Sequence, residues 1–142
     1  VPEVLSWASE TINFMFCVKE TSDIPRAITT LIENNATDRA FLEISVSEML
    51  DVVVAQNLEG WESVYYVMNM GSPDDLNRIL NSSPEILKRT FLFEYNDWET
   101  WPNLSENIAL AKNAGIRTFA ATKDSPVMAT YQNHMVSSSL SL

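Results

Sequence analysis

Five short apolar segments recur along the chain at intervals of roughly 25 residues, and this rhythm is the strongest constraint on its fold. The segments are rich in Phe, Val, Ile and Tyr, and each is followed by a stretch of helical periodicity. A parallel strand needs a crossover of about this length before the chain can return to the sheet. The sequence therefore predicts βα units around a parallel sheet, with strands within 12–19, 40–45, 63–69, 90–95 and 116–121.

The predicted helices begin and end at recognisable capping sequences. Ser45 is followed three residues later by Glu48, which is the pattern of a capping box. Pro73 lies at an early helical position, and Pro84 is expected to close the helix that starts there. Gly115 stands where a helix commonly ends in a left-handed residue.

Two α/β architectures satisfy this pattern of about five βα units. One is a five-stranded doubly wound sheet that is complete in itself, and the other is an incomplete TIM barrel. The length of 142 residues favours the first, since a full barrel typically needs about 250 residues. Apolar runs such as FMFCV and FLF indicate strands covered on both faces. We expect a single domain over 1–135 and a flexible Ser/Leu tail over 136–142.

The scarcity of certain residues excludes several chemistries. The chain has three separated glycines, one cysteine and one histidine, so it has no phosphate-binding GxGxxG loop, no Cys-rich zinc site and no internal disulfide. A net charge of −10 is the opposite of the Lys/Arg patch that nucleic acid requires. No apolar run reaches the roughly 18–20 residues of a membrane span. The sequence predicts neither a nucleic-acid partner nor a transmembrane segment.

Three segments resemble glycerophosphodiester phosphodiesterases, which belong to the phospholipase-C-like phosphodiesterase superfamily of TIM barrels. The stretch 4–20 (VLSWASETINFMFCVKE) is similar to the family's "wa…inl.lEiK" phrase, and 39–45 (RAFLEIS) looks like its next strand. The stretch 111–122 (AKNAGIRTFAAT) resembles the family's late "A…aG..v..WTvn" phrase. The resemblance covers roughly 3–135 and implies the later βα units of a barrel.

The resemblance also implies a chemistry, namely metal-dependent cleavage of a glycerophosphodiester or phospholipid-type substrate. The family holds Mg²⁺ or Ca²⁺ through carboxylates and moves protons with histidines. This sequence has no His-Arg-Gly motif, and its single His134 does not match either catalytic histidine. Cys17 occupies a position where the family has a metal-binding carboxylate, although hard cations prefer oxygen ligands. We therefore expect this chain to be inactive on its own and assign it no catalytic residue.

Three residues are the candidate substrate-binding set: Lys19, Glu43 and Glu94. Lys19 matches the family lysine at a strand's carboxyl end, where it can meet phosphate charge. Glu43 and Glu94 interrupt apolar strands, and a carboxylate there must be paired or hydrated. We expect Lys19 to be the ion-pair partner of Glu43, and Cys17 to be a buried free thiol. Further polar residues close their strands and would join the same rim: Asn69, Thr122 and Lys123.

Two alternatives to a phosphodiesterase-like unit remain open. The first is a non-catalytic doubly wound module that acts through a ligand or through protein contacts, in which the strand order reverses at the binding edge. The second is a degenerate chain without independent activity. If the chain is part of a barrel, its open sheet edges predict self-association into homo-oligomers.

Overall fold

The fold is an α/β layer built on one parallel sheet. A computed structural model describes Leu5, residues 13–95 and residues 101–120 of the chain. The strands lie side by side in the order in which they occur along the chain, and every neighbouring pair is parallel. Each falls within, or one residue beyond, a predicted apolar segment, which confirms the βα prediction. The five strands are β1 (Phe14–Cys17), β2 (Ala40–Ser45), β3 (Tyr65–Met70), β4 (Thr90–Tyr95) and β5 (Arg117–Ala120).

Helices connect each strand to the next. Between β3 and β4 there are two of them, and the second begins at Pro84, the residue predicted to end the first. That prediction was wrong because Pro fits the first turn of a helix, where its missing N–H has no partner to lose. The described helices are α1 (Ile24–Glu33), α2 (Val46–Glu48, continued by a π-helical stretch Met49–Val54), α3 (Pro73–Leu80), α4 (Pro84–Arg89) and α5 (Leu104–Asn113).

Local capping places two of these helix starts at the carboxyl ends of strands. The Ser45 hydroxyl accepts from the Glu48 N–H, and the Glu48 carboxylate accepts from the Ser45 N–H, which confirms the predicted capping box. Ser72 and Asp75 form a second capping box at α3. Gly115 ends α5 at φ +76°, as predicted. Both capping boxes fix the direction in which the chain leaves its strand.

The helices share one buried core with one face of the sheet. Strand residues in that core alternate along the chain and pair in register, as Leu42 does with Tyr66 and Met68 with Phe93. The sequential strand order differs from the 2-1-3-4-5 order expected of a doubly wound sheet. Right-handed crossovers that all run in the same direction put their helices on the same face. Within the described ranges, every helix is too short or too polar to cross a bilayer.

The opposite side of the sheet, which we call the second face, has a different character. Its apolar members are absent from the core that the described helices share; Val67 is buried by its strand neighbours alone. Met15 is 56% exposed and Phe119 42% exposed. The expectation that FMFCV is covered on both faces was therefore wrong for β1, which is an edge strand of the described sheet. The second face comprises Met15, Cys17, Phe41, Glu43, Tyr65, Val67, Asn69, Phe91, Leu92, Glu94, Arg117 and Phe119.

Candidate functional site

Polar side chains from four neighbouring strands meet at the carboxyl end of the second face. Cys17 pairs in register with Glu43, and Asn69 pairs with Glu94. Lys19 follows β1 by two residues and reaches back to the same edge. Alternation along a strand places these side chains on one side of the sheet, away from the helices. We call Cys17, Lys19, Glu43, Asn69 and Glu94 the edge cluster.

Lys19 is bound to Cys17 at the rim of the cluster. Its Nζ donates a hydrogen bond to Cys17 Sγ over 3.0 Å. This hydrogen bond and the charge of the sulfur raise the pKa of Lys19, and the Glu43 carboxylate adds to the increase. Cys17 is exposed, so the prediction of a buried thiol was wrong; its side chain points to the second face, which the core does not cover. Lys19 is thus held as a cation beside an accessible sulfur.

Glu43 has a different partner from the one expected. Asn69 Nδ2 donates to Glu43 Oε1 over 2.7 Å, from the adjacent strand. The ion pairs in the described part of the chain do not join Lys19 to Glu43, so the predicted pairing was wrong. Asn69 lies one strand away on the same face, closer than a lysine beyond the strand end can reach. The amide fixes the orientation of the carboxylate without neutralising its charge.

Glu94 is the more deeply placed of the two carboxylates. Burial raises the pKa of Glu94, and the charge of Glu43 raises it further. Two carboxylates that feel each other in a partly desolvated place favour either a shared proton or a bound cation. The edge cluster therefore presents a negative centre at Glu43 and Glu94 and a positive group at Lys19.

Glu48 lies at the same edge, but its carboxylate is engaged in holding the backbone. Burial raises the pKa of Glu48, but hydrogen bonds from the Ser45 N–H, the Thr21 hydroxyl and the Ser45 hydroxyl outweigh it and lower the pKa overall. The capping box was visible in the sequence, whereas the contact with Thr21 joins residues far apart in the chain. Glu48 ties the loop after β1 to the start of α2 and is not available to a ligand.

The described residues do not fit the Mg²⁺ or Ca²⁺ site that the resemblance implies. A hard cation of this kind is bound by several oxygen ligands. At the edge cluster there are two carboxylates, one of them already bound by Asn69, and the expected third position carries the sulfur of Cys17. No group of three or more His, Cys, Asp or Glu side chains suitable for a metal occurs within the described ranges. Thr122, Lys123 and His134 lie outside those ranges.

A cavity of about 390 Å³ adjoins the edge cluster between β1 and α1. Its walls are apolar and include Phe16, Leu31 and Leu42, while Lys19 and Arg26 lie among the polar lining residues. The volume lies within the usual range for small-molecule pockets. The sequence gave no sign of this cavity, since it arises from how α1 sits against the edge strand. Cys17 and Lys19 belong to both the cavity and the edge cluster.

Comparison with known proteins adds no relative to this picture. No model of a protein family, no curated protein and no solved structure matches the chain.

Proposed function

We propose that this chain is a phosphodiesterase-like α/β unit that binds a glycerophosphodiester or phospholipid-type headgroup at the edge cluster without hydrolysing it alone. The observation that carries the proposal is the arrangement of one cation, Lys19, beside the two carboxylates Glu43 and Glu94. Such an arrangement complements a zwitterion in which a phosphate and an ammonium group are a few bonds apart. Phosphoethanolamine diesters are of this kind.

Each side chain then has a role that its chemistry supports. Lys19 donates to the phosphate oxygens as a compact cation. Glu43 and Glu94 accept the ammonium group, which relieves the repulsion that raises the pKa of Glu94. Asn69 keeps Glu43 oriented through its 2.7 Å hydrogen bond. The sites of opposite charge would thus read both ends of the headgroup.

The cavity beside Lys19 supports the phospholipid-type form of the ligand. Its apolar walls Phe16, Leu31 and Leu42 lie next to the group proposed to hold the phosphate. An apolar substituent on the glycerol would leave water there and gain binding free energy, about 0.8 kcal/mol for each buried methylene. The deacylated diester would use the edge cluster alone.

Hydrolysis requires groups that this chain does not offer at the cluster. Cleavage of a phosphodiester in this superfamily uses proton transfer by histidine and a carboxylate-bound metal ion. The single histidine, His134, matches neither family position. We therefore expect binding of the diester and no turnover by the chain alone.

Calorimetric titration with glycerophosphoethanolamine tests the binding site. Lys19→Met and Glu94→Gln should each weaken binding by about tenfold, because each removes one charged contact. Lys88→Met and Glu85→Gln are the matched controls, since this exposed pair lies on α4 and should leave affinity unchanged. Glycerol 3-phosphate, which lacks the ammonium group, should lose the dependence on Glu94. Equal effects of the control variants would refute the site.

Turnover is measured separately on the same diester and on a chromogenic diester, with and without added Mg²⁺ or Ca²⁺. We expect no product above the buffer blank. Robust metal-dependent turnover would overturn the view that this chain is inactive alone, and it would leave the binding site itself standing.

The second face favours a second candidate, a module that acts through protein contacts. Met15 and Phe119 are large apolar side chains with 56% and 42% of their surface exposed. Both lie on the outermost strands of the described sheet, where open edges also support the homo-oligomer expected from the sequence. This candidate predicts self-association that persists when Lys19 is replaced.

A further inference from the structure

The amino end of the second face carries a row of aromatic rings with arginines laid over them. The Phe41 ring lies 6.5 Å from that of Tyr65 and 4.1 Å from that of Phe91, measured between ring centroids. Arg89 lies over Tyr65 at 5.3 Å, and Arg117 lies over Phe91 at 4.9 Å. Such contacts hold guanidinium groups against an apolar surface while leaving their charge available.

The two ends of the second face therefore have opposite charge. The arginines lie where β3, β4 and β5 begin, and Glu43 and Glu94 lie near the carboxyl ends of β2 and β4. Four residues along a strand separate Tyr65 from Asn69, a distance of about 13 Å at roughly 3.3 Å per residue. Both ends lack full compensation. Arg89 Nε is buried without a hydrogen-bond partner in the described part of the chain, and burial together with Glu43 raises the pKa of Glu94.

We propose that a second copy of this chain docks on the second face, with the strands of the two sheets running antiparallel. This inference rests on the second candidate function and names its partner. A twofold axis parallel to the sheets and perpendicular to the strands brings the arginine end of each copy onto the Glu43 and Glu94 end of the other. A twofold axis along the strands brings like charges together. The charge distribution thus selects one symmetric dimer.

The same axis brings β4 of each copy across β4 of the other. Glu94, near the end of β4, then faces the beginning of the partner strand, where Arg89 lies. Arg117, at the start of β5, faces the partner's carboxyl end beside Glu94. Between these charged ends, the aromatic rings and Val67 form the apolar centre that interfaces between copies commonly have.

The size of the second face is sufficient for a specific but modest contact. Five strands about 4.8 Å apart and about six residues long span roughly 20 by 20 Å, or about 400 Å² in projection. This is as large as the biggest apolar patches that monomers usually expose. It is smaller than the roughly 800 Å² per partner of a standard interface, so the dimer should dissociate on dilution in the micromolar range.

Sedimentation equilibrium across a concentration series at about 0.15 M salt tests the dimer, because screening at this ionic strength limits the repulsion between two acidic copies. We expect a concentration-dependent mass rising from 16.0 kDa toward twice that value. Arg117→Glu and Glu94→Arg should each weaken dimerisation by about tenfold or more. Lys112→Glu and Glu106→Arg make the same charge changes on the exposed surface of α5 and should leave dimerisation unchanged.

Mixing the two variants gives the decisive outcome. Arg117→Glu and Glu94→Arg restore complementary pairs across one end of a mixed dimer, so the mixture should associate more tightly than either variant alone. Circular dichroism confirms that each variant is folded. A monomer at every concentration, or folded variants whose mixture gains nothing, would overturn the proposal. Dimerisation unchanged in both variants would also overturn it, because another surface must then be used.

These results are independent of the headgroup site. Lys19→Met should leave the dimer intact, and the calorimetric titration can be run at concentrations where the chain is monomeric. Loss of headgroup binding with an intact dimer refutes the first proposal alone, and the converse refutes this one alone.

Discussion

Two buried tyrosines on adjacent strands differ in a single respect, and this difference gives a sharp test of the core. Tyr66 and Tyr95 both have 0% of their surface exposed. The Tyr66 hydroxyl donates to the Trp61 carbonyl over 3.0 Å, whereas the Tyr95 hydroxyl has no hydrogen-bond partner in the described part of the chain. The Tyr95 ring packs edge-on against Trp101, with 5.2 Å between centroids. Replacement by Phe removes only the hydroxyl from each.

The expected changes in the free energy of unfolding have opposite signs. Tyr66→Phe loses a buried hydrogen bond and should destabilise the fold by about 1 kcal/mol. Tyr95→Phe removes a buried polar group that nothing compensates and should stabilise the fold by about 1 kcal/mol. Urea titration followed by circular dichroism should therefore separate the two variants by about 2 kcal/mol. Equal destabilisation by both changes would mean that the Tyr95 hydroxyl is satisfied, and would refute this account of the core.

The same pair predicts how stability responds to alkali. Burial raises the pKa of Tyr66, partly offset by the charge of Arg89, and burial raises the pKa of Tyr95. An unfolded tyrosine ionises near pH 10, before the folded one, so stability present below that pH is lost as pH rises above it. Each Phe variant should remove up to about 1.4 kcal/mol of that loss per pH unit. Unfolding titrations at pH 9 to 11 check the slope.

Three further changes test the edge and the turns. Burial and the neighbouring carboxylate raise the pKa of Glu94, so its contribution is present below about pH 4.3 and is lost as pH rises; Glu94→Gln should gain stability relative to the parent between pH 4 and pH 7 in urea titrations. Ser45→Ala removes the capping hydroxyl and should cost about 1 kcal/mol in the same assay, and no loss would contradict the capping role. Gly60 and Gly115 both have φ +76°, but a Cβ at Gly60 would also meet the Ile32 side chain. Gly60→Ala should therefore lower the melting temperature more than Gly115→Ala, and the reverse order would show that contact to be harmless.

Much of the layer architecture could be predicted from the sequence because it is encoded locally. Each strand is a short apolar run, and the capping box at Ser45 and the left-handed Gly115 are fixed by neighbouring residues. The helix at Pro84 was missed because six residues are too few to establish a helical period, and proline was taken only as a stop. The resemblance to a phosphodiesterase barrel has no support beyond the α/β fold and remains a proposal.

The composition of the site could be predicted, but the pairing within it could not. Alternation correctly predicted that Glu43 shares a face with Ser45, and polar residues at strand ends pointed to the carboxyl edge. Which partner Glu43 takes depends on distances between strands, and Asn69 is nearer than Lys19. The exposure of Cys17 depends on what lies above the second face, which a pattern of apolar residues along one strand does not encode.

The sequential order of the strands has a consequence for how the chain is assembled. Each strand hydrogen-bonds only to strands that immediately precede or follow it in the chain, roughly 25 residues away. A strand that emerges during synthesis therefore finds its place already prepared and never has to be inserted between two others. Growth proceeds by accretion at one edge, as in repeat proteins whose units contact only their neighbours. Whole βα units can then be added or lost at either edge without any remaining strand changing its neighbours.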